Sequence, residues 1–335
     1  MKAYHIDATT GLDGLVLREA PRPEPGPNEV LVRLHARSLN FRDLLILNGR
    51  YPVPVRPGTV AISDGAGEAI ALGRDVSRVA VGDRVAATYF PRWIDGRFMM
   101  GLAGDQFGCT RDGMLAPFAV ISESSLVKIP PHLSFEEAAT LPCAALIAWS
   151  ALVGPRPILP GENVLTVGTG GVALFALQFA KLFGARVIAI TSTDAKAARL
   201  KQLGADEVVN YVSTPDWERA VREQTAGRGV DHVVETGGLD TLSRSIACTA
   251  EEGVVNLVAA LGSGAVDARS FANPVIVRRI YVGSRASFDA MNRAISIHRL
   301  RPVIDRVFPF DAAKEAYQHF EARKHVGKVV IADSC

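Results

Sequence analysis

Residues 164–173 read Val164-Leu165-Thr166-Val167-Gly168-Thr169-Gly170-Gly171-Val172-Ala173, a short apolar strand that runs into a glycine-rich turn and then into a helix. A glycine at 168 permits the tight turn, and a glycine at 170 lets the backbone approach a phosphate group. Backbone N–H groups at the start of such a helix face an anion. We therefore predict that Gly168, Thr169, Gly170, Gly171 and Val172 hold the pyrophosphate of a dinucleotide.

From this turn onward, strands and helices alternate regularly along the chain. The apolar runs predict strands at Val164–Val167, Arg186–Ile190, Glu207–Asn210, His232–Glu235, Val254–Ala259 and Ile280–Gly283. A helical stretch over Glu136–Val153 precedes them. This pattern predicts an α/β fold with a doubly wound parallel sheet, in which the ligand lies at the carboxyl ends of the strands. Gly237 follows the fourth of these strands, and Val258, Ala259 and Leu261 lie at or just after the end of the fifth, so we expect them to flank the dinucleotide.

The two ends of the chain have a different pattern. Short strands separated by Gly and Pro turns predict a compact β-rich domain before about Val127. The elements after about Ser287 are too few to fold alone, so we expect them to return to the first domain. The predicted organisation is therefore a discontinuous β-rich domain, residues 1–127 and 287–335, around a dinucleotide-binding domain, residues 128–286.

The composition is that of an ordinary globular protein. The 335 residues are 48% hydrophobic, enough for two domains, and the formal net charge is only +2 with the basic residues scattered, which argues against nucleic-acid binding. No apolar run reaches the roughly 18 residues of a membrane span. The four cysteines are far apart and read as free thiols of a reducing compartment. We expect a cytoplasmic protein.

Together with the glycine turn, several spaced motifs resemble the medium-chain dehydrogenase/reductase superfamily, and specifically its zinc-independent quinone oxidoreductase-like branch. They are Ser38–Asp43 with Gly49–Pro52, Ser63–Glu68, Gly82–Val85, Leu141–Ala145 with Trp149, and Val326–Val330. The resemblance implies a GroES-like catalytic domain with a Rossmann domain inserted in it. It also implies a homodimer or a homotetramer, commonly built by joining Rossmann edge strands.

A catalytic zinc is not expected. Zinc members of the superfamily carry ligands in the segments that correspond to Leu39–Asp43, Ile62–Asp64 and Cys143, where this chain offers Asn40, Ser63 and Cys143. A lone thiol cannot make a catalytic zinc site, which needs three suitable protein ligands. We therefore predict no metal, and we read Cys143 as a small buried apolar residue.

The end of the second strand indicates which nicotinamide dinucleotide binds. An NAD site normally places Asp or Glu there, whereas this chain has Thr191 and Ser192, followed by Lys196 on the next helix. Hydroxyl groups and a cation accept a 2′-phosphate that a carboxylate would repel. We expect NADPH, although Lys196 on an exposed helix face has an ordinary reading as a solvated residue.

Without a metal, reduction of an ordinary ketone lacks a group that stabilises the alkoxide, whereas a quinone or an α,β-unsaturated carbonyl spreads the incoming charge over its own π-system. The predicted reaction is hydride transfer from NADPH to such a hydrophobic acceptor. Asn40 and Tyr51 are the candidate catalytic residues. The resemblance implies that Tyr51 lines the substrate site or donates a proton. Either residue also has a purely structural reading, in a turn or in loop packing.

Three alternatives stay open from the sequence. An enoyl-thioester or enone reductase would use Tyr51 as its proton donor, and Leu45, which stands where quinone reductases often have a tyrosine, weakens strict quinone specificity. A non-catalytic nucleotide-binding relative is the second alternative, and a zinc alcohol dehydrogenase is the third. The loop Phe90–Phe107, rich in aromatic residues and methionine, fits either an apolar wall of the substrate pocket or a dimer contact.

Overall fold

The computed structural model describes residues 1–259 and 262–333. Its strands are β1 Lys2–Ile6, β2 Leu15–Glu19, β3 Glu29–Ser38, β4 Thr59–Val60, β5 Asp64–Leu72, β6 Arg84–Ala87, β7 Phe118–Ser122, β8 Leu126–Lys128, β9 Asn163–Val167, β10 Arg186–Thr191, β11 Glu207–Asn210, β12 Val230–Glu235, β13 Thr249–Leu257, β14 Ile276–Arg279, β15 Ile304–Pro309 and β16 Lys328–Ala332. Its α-helices are α1 Phe41–Leu47, α2 Phe135–Ala138, α3 Leu146–Leu152, α4 Gly171–Leu182, α5 Asp194–Gln202, α6 Trp217–Gln224, α7 Leu239–Ala247, α8 Arg285–His298 and α9 Ala313–Glu321. No helix in these residues is long and apolar enough to cross a membrane.

A parallel sheet organises the unit formed by Ile147–Tyr281. Within the described residues, its strands follow the order β11-β10-β9-β12-β13-β14, and every neighbouring pair is parallel. The chain builds outward from β9 to β11 and then continues on the other side of β9 with β12. The order of strands therefore reverses between β9 and β12, and open α/β sheets bind ligands at such a switch point. The predicted α/β fold class and doubly wound parallel sheet are confirmed.

The prediction of the last strand of this sheet at Ile280–Gly283 is wrong. The strand is β14, and residues 280–283 have no strand structure. The apolar pattern misled because β14 is an edge strand, in which Ile276 is 49% exposed and Val277 is 37% exposed, whereas the apolar residues just after it are buried. The prediction assumed that the apolar residues mark a buried strand, but here the buried apolar residues lie in the segment that follows the strand.

The other unit contains Met1–Leu146 and the chain from Val282 onward. Its larger sheet follows the order β15-β16-β3-β5-β6-β8, with β7 also paired to β3, and a smaller sheet follows the order β2-β1-β4. Strand β16 pairs antiparallel with β3, with Val330 opposite Ser38. The C-terminal segment therefore completes a sheet that the N-terminal segment begins.

Arg37 fastens these two segments to each other. Its side chain is fully buried in the unit, and its Nε donates to the carbonyl oxygen of Met114 at 3.0 Å. Its Nη2 donates to the carbonyl oxygens of Leu34, at 3.1 Å, and Ala116, while Nη1 donates to Asp333 Oδ1 at 2.6 Å. A guanidinium group carries five N–H donors and can satisfy all of these acceptors at once.

The boundaries between the two units differ from those predicted after residues 127 and 286. The chain enters the second unit after Leu146 and leaves it before Val282. Residues 128–146 remain with the first unit because β8 pairs with β6 and because the Cys143 backbone N–H donates to Asp64 Oδ2 at 3.1 Å. Hydrogen bonds of this kind have no signature in the sequence.

The helix predicted over Glu136–Val153 is interrupted. Helix α2 ends at Ala138, a π-helical segment covers Leu141–Ala145, and α3 begins only at Leu146. Pro142, at the start of the π-helical segment, lacks the N–H that a regular helix would use. Short π-helical segments occur frequently at functional sites, and here the segment presents the Cys143 N–H to a buried carboxylate.

Candidate functional site

In the glycine-rich turn between β9 and α4, Gly168 and Gly170 are glycine for different reasons. Gly168 has a φ of 89°, a left-handed conformation that side chains disfavour. Gly170 has an ordinary φ of −74° and ψ of 174°, and a Cβ placed on it would meet no heavy atom within 4 Å among the described residues. Neither conformation nor packing within the protein therefore requires glycine at 170, whereas a phosphate group that approached the backbone closely here would require it.

The predicted dinucleotide residues follow the carboxyl ends of neighbouring parallel strands. The Gly168 N–H donates to the carbonyl oxygen of Ile190 at 2.9 Å, which holds the end of β9 to β10. The Val258 N–H likewise donates to the carbonyl oxygen of Glu235 at 3.0 Å, between β13 and β12. One edge of the sheet thus carries the predicted residues Gly168, Thr169, Gly170, Gly171, Val172, Thr191, Ser192, Gly237, Val258 and Ala259. Leu261, also predicted, lies outside the described residues.

Glu235, at the end of β12, is a residue of this edge that the sequence reasoning missed. Its Oε1 accepts hydrogen bonds from the N–H of Gly237 at 2.5 Å, from the N–H of Gly238 at 3.2 Å and from Thr241 Oγ1 at 2.8 Å, and Ser245 Oγ donates to its Oε2. Burial raises the pKa of Glu235, and these donors oppose that shift. The carboxylate fixes the loop that contains Gly237. The available signal was a glutamate at the end of a strand, directly after the apolar pair Val233 and Val234.

Lys196 lies in the first turn of α5, directly after Thr191 and Ser192. Thr193, rather than Asp194, is the residue before the helix whose side chain caps it, because Thr193 Oγ1 accepts from the Lys196 N–H at 3.3 Å. Asp194 instead accepts a hydrogen bond from Asn210 Nδ2 at 2.7 Å. The carboxylate nearest the end of β10 is therefore engaged by a neighbouring strand.

In the first unit, Asn40 precedes α1 and contacts a buried lysine. Its backbone N–H donates to Asp43 Oδ2 at 2.8 Å, which stabilises the start of the helix. Its side-chain Oδ1 accepts from Lys328 Nζ at 2.6 Å, and the same ammonium donates to the carbonyl oxygen of Leu39 at 2.5 Å. Lys328 is only 2% exposed, and burial lowers its pKa. Its part in this site was not predicted, although it lies within the quoted motif Val326–Val330.

Asp64 is the carboxyl group whose charge most strongly opposes the lowering of the Lys328 pKa by burial. Its Oδ1 accepts from Ser63 Oγ at 2.7 Å, and its Oδ2 accepts from the Cys143 N–H at 3.1 Å. Burial raises the pKa of Asp64, and the charge of Lys328 opposes that shift. Cys143 is half-buried and not fully buried as we predicted, yet burial raises the pKa of its thiol, so this sulfur is a neutral group. These contacts favour a structural role for Asp64.

Tyr51 belongs to a polar cluster with Tyr89, Gln106 and Arg42. Its hydroxyl donates to Gln106 Oε1 at 2.7 Å and lies 3.1 Å from the Tyr89 hydroxyl. The Arg42 guanidinium lies over both rings, 5.2 Å from the centroid of Tyr51 and 4.9 Å from that of Tyr89. Arg42 also donates to the carbonyl oxygen of Phe107 at 2.8 Å. The sequence did show an arginine two residues after Asn40 and next to Asp43, within the same motif, and this signal was not used.

Arg42 connects the two predicted catalytic residues. Its Nη1 lies 3.9 Å from Asp43 Oδ1, and the other oxygen of Asp43 accepts from the Asn40 backbone. Asn40 and Tyr51 therefore belong to one network of polar contacts. Burial raises the pKa of Asp43 to about 6, partly offset by the positive charge of Arg42. The structure thus brings Asn40 and Tyr51 together through residues that were not predicted.

The loop Phe90–Phe107 has a mixed surface. Phe98 packs against Phe90 and Trp93, with ring centroids 5.1 Å and 4.9 Å apart. Met99 and Met100 are instead 67% and 68% exposed. The aromatic residues hold the loop together, and the methionines form its apolar surface.

The donor set around Asn40 does not fit a zinc ion. Among residues 1–259 and 262–333, no three His, Cys, Asp or Glu side chains converge in a way that could hold a metal. The ammonium of Lys328 contacts Asn40 and repels a cation, and Cys143 alone cannot supply the three protein ligands that a catalytic zinc needs. The glycine turn, in contrast, fits a dinucleotide because of the open space at Gly170.

Two protein-family models match parts of this chain. The family model of the alcohol dehydrogenase GroES-like domain matches residues 26–131, and that of the zinc-binding dehydrogenases matches residues 171–298. A zinc-type alcohol dehydrogenase-like protein of Schizosaccharomyces pombe, C1773.06c, is 42% identical over 97% of each chain. The chain belongs to the medium-chain dehydrogenase/reductase superfamily. Its β-rich unit accordingly has the GroES-like fold, and its parallel sheet is the Rossmann domain.

Other members of the superfamily differ in the reactions for which they are named. A quinone oxidoreductase of Pseudomonas aeruginosa is 31% identical over 98% of this chain and 99% of its own. An acryloyl-coenzyme A reductase of Sulfurisphaera tokodaii is 27% identical over 95% of this chain and 96% of its own. Membership in the superfamily makes this chain an oxidoreductase, while the substrate varies among relatives.

The solved structures of the superfamily cover the whole chain. A putative alcohol dehydrogenase from Sinorhizobium meliloti 1021 has a TM-score of 0.92 and 35% identity, covering 99% of this chain and 98% of its own. An NAD-dependent alcohol dehydrogenase has a TM-score of 0.88, 34% identity and full coverage of both chains. The mycobacterial protein Rv1454c, complexed with NADPH, has a TM-score of 0.83 and 29% identity, covering 99% of this chain and all of its own.

The two glycines of the turn give a matched pair of variants. Gly170→Ala places a methyl group in open space, so we expect the free energy of unfolding to change by less than about 1 kcal/mol. The same methyl group obstructs a pyrophosphate, so the Kd for NADPH should rise at least roughly tenfold in a fluorescence titration. Gly168→Ala should instead lose roughly 1–2 kcal/mol of stability, because its φ is 89°. An unchanged Kd for NADPH in Gly170→Ala would contradict the prediction that this turn binds the pyrophosphate.

The raised pKa of Asp43 gives a pH dependence of stability with a defined sign. Its carboxyl keeps its proton in the folded protein up to about pH 6 but loses it near 3.8 when unfolded, so stability falls as the pH rises through this window. Asp43→Asn has no such titration. The quantity to measure, by urea titration, is the free energy of unfolding of the variant minus that of the wild type. We expect this difference to rise by roughly 3 kcal/mol between about pH 4 and about pH 7. A constant difference across these pH values would contradict the shift.

Proposed function

We propose that this protein is a zinc-independent, NADPH-dependent reductase of quinones or other electron-poor conjugated carbonyl compounds. The observation that carries the proposal is the environment of Asn40, where a buried ammonium stands against the amide at 2.6 Å and the nearby thiol is held neutral. Such a site offers hydrogen bonds rather than a Lewis acid to a substrate. Conjugated carbonyls need only this help, because they delocalise the charge that hydride addition creates.

Some residues of the candidate site would bind the cofactor, and others would orient the substrate. The bound nicotinamide would supply the hydride. Gly170 admits the pyrophosphate, and Glu235 holds the loop of Gly237 beside it. In the first unit, Asn40 and Tyr51 supply polar groups to the substrate, with Tyr51 as a source of the proton. The Tyr51 hydroxyl donates to Gln106 in this structure, so proton donation requires that hydrogen to turn toward the substrate or toward water.

The preference for NADPH rests on the residues after β10. Thr191, Ser192 and Lys196 provide hydroxyl groups and a positive charge for a 2′-phosphate, and the Asp194 carboxylate is held by Asn210. The complex of Rv1454c with NADPH supports this choice, while the neighbour named as NAD-dependent represents the other outcome. The cytoplasmic location expected from the sequence stays a prediction.

Reduction of an enone or an enoyl thioester is the second candidate, and the similarity to acryloyl-coenzyme A reductase favours it. It uses the same hydride transfer and makes a stronger demand on Tyr51 as proton donor, because a quinone product can be protonated by water. A zinc alcohol dehydrogenase or a non-catalytic nucleotide-binding protein remains as an outcome of the tests.

The deciding experiment follows NADPH oxidation by the purified protein with 9,10-phenanthrenequinone, an enone and a simple ketone. We expect turnover of the quinone, weaker turnover of the enone and none of the ketone, unchanged after dialysis against a zinc chelator. Tyr51→Phe should lower kcat more for the enone than for the quinone. Turnover of the ketone that the chelator abolishes would make the protein a zinc alcohol dehydrogenase, and binding without any turnover would support the non-catalytic alternative.

The cofactor preference has its own test in Lys196→Glu. The added carboxylate should repel the 2′-phosphate, so we expect the Kd for NADPH to rise by about tenfold to 100-fold while that for NADH changes little. Lys201→Glu, on the last turn of the same helix, is the matched control and should leave both affinities near those of the wild type. Equal loss of both cofactors in Lys196→Glu would assign the residue to the fold instead.

We further propose a homodimer, with a homotetramer as a dimer of dimers, formed through β14. This edge strand pairs only with β13 among the described residues, and it exposes Ile276 and Val277. An exposed apolar edge strand is suited to extending the sheet with a second copy. Val277→Lys should convert the dimer to a monomer in analytical ultracentrifugation, and Val81→Lys, at an exposed turn of the other unit, should not. A wild type that sediments as a monomer would overturn this assembly.

A further inference from the structure

The contact between Lys328 and Asn40 fixes the direction in which the amide points. An ammonium group has three N–H donors and no lone pair, so the side-chain atom of Asn40 that lies 2.6 Å from Nζ must be the oxygen. The two ends of an amide are otherwise hard to assign. Here the buried charge of Lys328 decides the assignment, and the NH₂ group of Asn40 lies on the side away from the ammonium.

Lys328 is itself held so that it cannot readily move away from the amide. Its Nζ also donates to the carbonyl oxygen of Leu39, and the negative charges of Asp64 and Asp43 attract it. The side chain is 2% exposed, so water does not compete for its donors. The orientation of the Asn40 amide is therefore a fixed property of the fold.

The NH₂ end of this amide lacks a well-formed partner. The side chain of Asn40 is 8% exposed, and Nδ2 makes no hydrogen bond of good geometry with the described residues. A hydrogen bond with the Asn40 side chain is one of the causes that lower the pKa of Asp64, so one of the two amide N–H groups faces this carboxylate, and the other is the N–H that lacks an acceptor among the described residues. A buried donor without a proper acceptor costs about 1–3 kcal/mol, which an acceptor atom of a bound ligand would recover.

We infer that Lys328 is a positioning residue that turns the Asn40 amide into a hydrogen-bond donor for the carbonyl oxygen of the substrate. The inference rests on the proposed reduction of conjugated carbonyl compounds and adds the substrate atom that the site recognises. The opposite orientation, with Asn40 accepting from a hydroxyl group, would place the amide nitrogen against an ammonium, where no hydrogen bond can form.

The carbonyl oxygen is where a donor aids the reaction. When hydride leaves the reduced nicotinamide and bonds to the β-carbon of an α,β-unsaturated carbonyl, the π electrons of the C=C bond move to form an enolate with negative charge on oxygen. NADPH is thereby oxidised to NADP⁺, and a proton from a hydroxyl group or water then completes the product. The Asn40 N–H stabilises this oxygen, and the Lys328 charge on the other end of the amide strengthens the donor.

The test uses 4-(dimethylamino)cinnamaldehyde, an α,β-unsaturated aldehyde whose absorption band moves to longer wavelength when its carbonyl oxygen is polarised. Bound to the full-length protein with NADP⁺, which cannot supply hydride, it reports the hydrogen bond without turnover. We expect a red shift in the wild type, its loss in Asn40→Asp and a smaller shift in Lys328→Met. Asn40→Asp keeps the shape and the contact with Lys328 but replaces the NH₂ donor with an acceptor.

Kinetics with NADPH and the same aldehyde separate positioning from folding. We expect kcat to fall roughly 100-fold or more in Asn40→Asp and between about tenfold and 100-fold in Lys328→Met, with KM for the aldehyde changing less. The losses in the double variant should be less than additive, because Lys328 acts through Asn40. Lys324→Met, an exposed residue just before the same strand, is the control for the lysine substitution.

Each result decides between the inference and the proposed function. A wild-type red shift that persists in Asn40→Asp, or wild-type band and kcat in a folded Lys328→Met, would overturn the inference while leaving carbonyl reduction intact. The protein could instead show a red shift that depends on Asn40 but reduce neither the quinone nor the enal. This result would support the inference about binding and contradict the proposed reaction. If Lys328→Met fails to fold by circular dichroism, Lys328→Gln, whose amide permits either orientation of Asn40, replaces it with the same expected losses.

Discussion

The antiparallel pairing of β16 with β3 is the constraint on which the candidate site depends. Val330 lies opposite Ser38, and continuing this register by two residues brings Lys328 opposite Asn40. The two residues are 288 positions apart in sequence, yet their side chains meet at 2.6 Å. Arg37, one residue before Ser38, reinforces the pairing by binding Asp333. The sheet thus brings a buried positive charge to the start of α1.

Around this pairing, the first unit balances buried charges of opposite sign. Asp43 and Asp64 are both fully buried carboxyl groups, and Arg42 and Lys328 are the buried cations beside them. Burial alone would neutralise such groups, and their mutual attraction opposes that tendency. The result is a set of rigid polar groups in place of a metal-ligand set. Asn40 and Tyr51 stand at its two ends.

The Rossmann domain obtains its binding edge in a simpler way. Parallel strands must all end on the same side of the sheet, so the segments after β9, β10, β12 and β13 are brought together by topology alone. The glycine turn then needs only two local features, a left-handed backbone at Gly168 and open space at Gly170. Glu235 adds a buried anchor that holds the neighbouring loop.

The sequence by itself determined the features that are local or periodic. The glycine turn, the alternation of strands and helices and the position of Asn40 in its motif follow from neighbouring residues. These features predicted the fold and the residues that lie at the carboxyl ends of the parallel strands. The bounds of edge strand β14 were predicted wrongly because its apolar residues are exposed, whereas the prediction assumed that apolar residues are buried. Only the tertiary structure decided the partners of Asn40 and Tyr51. Lys328, Gln106 and Tyr89 reach them through strand register and loop packing, and contacts between residues so far apart in sequence leave no pattern along the chain.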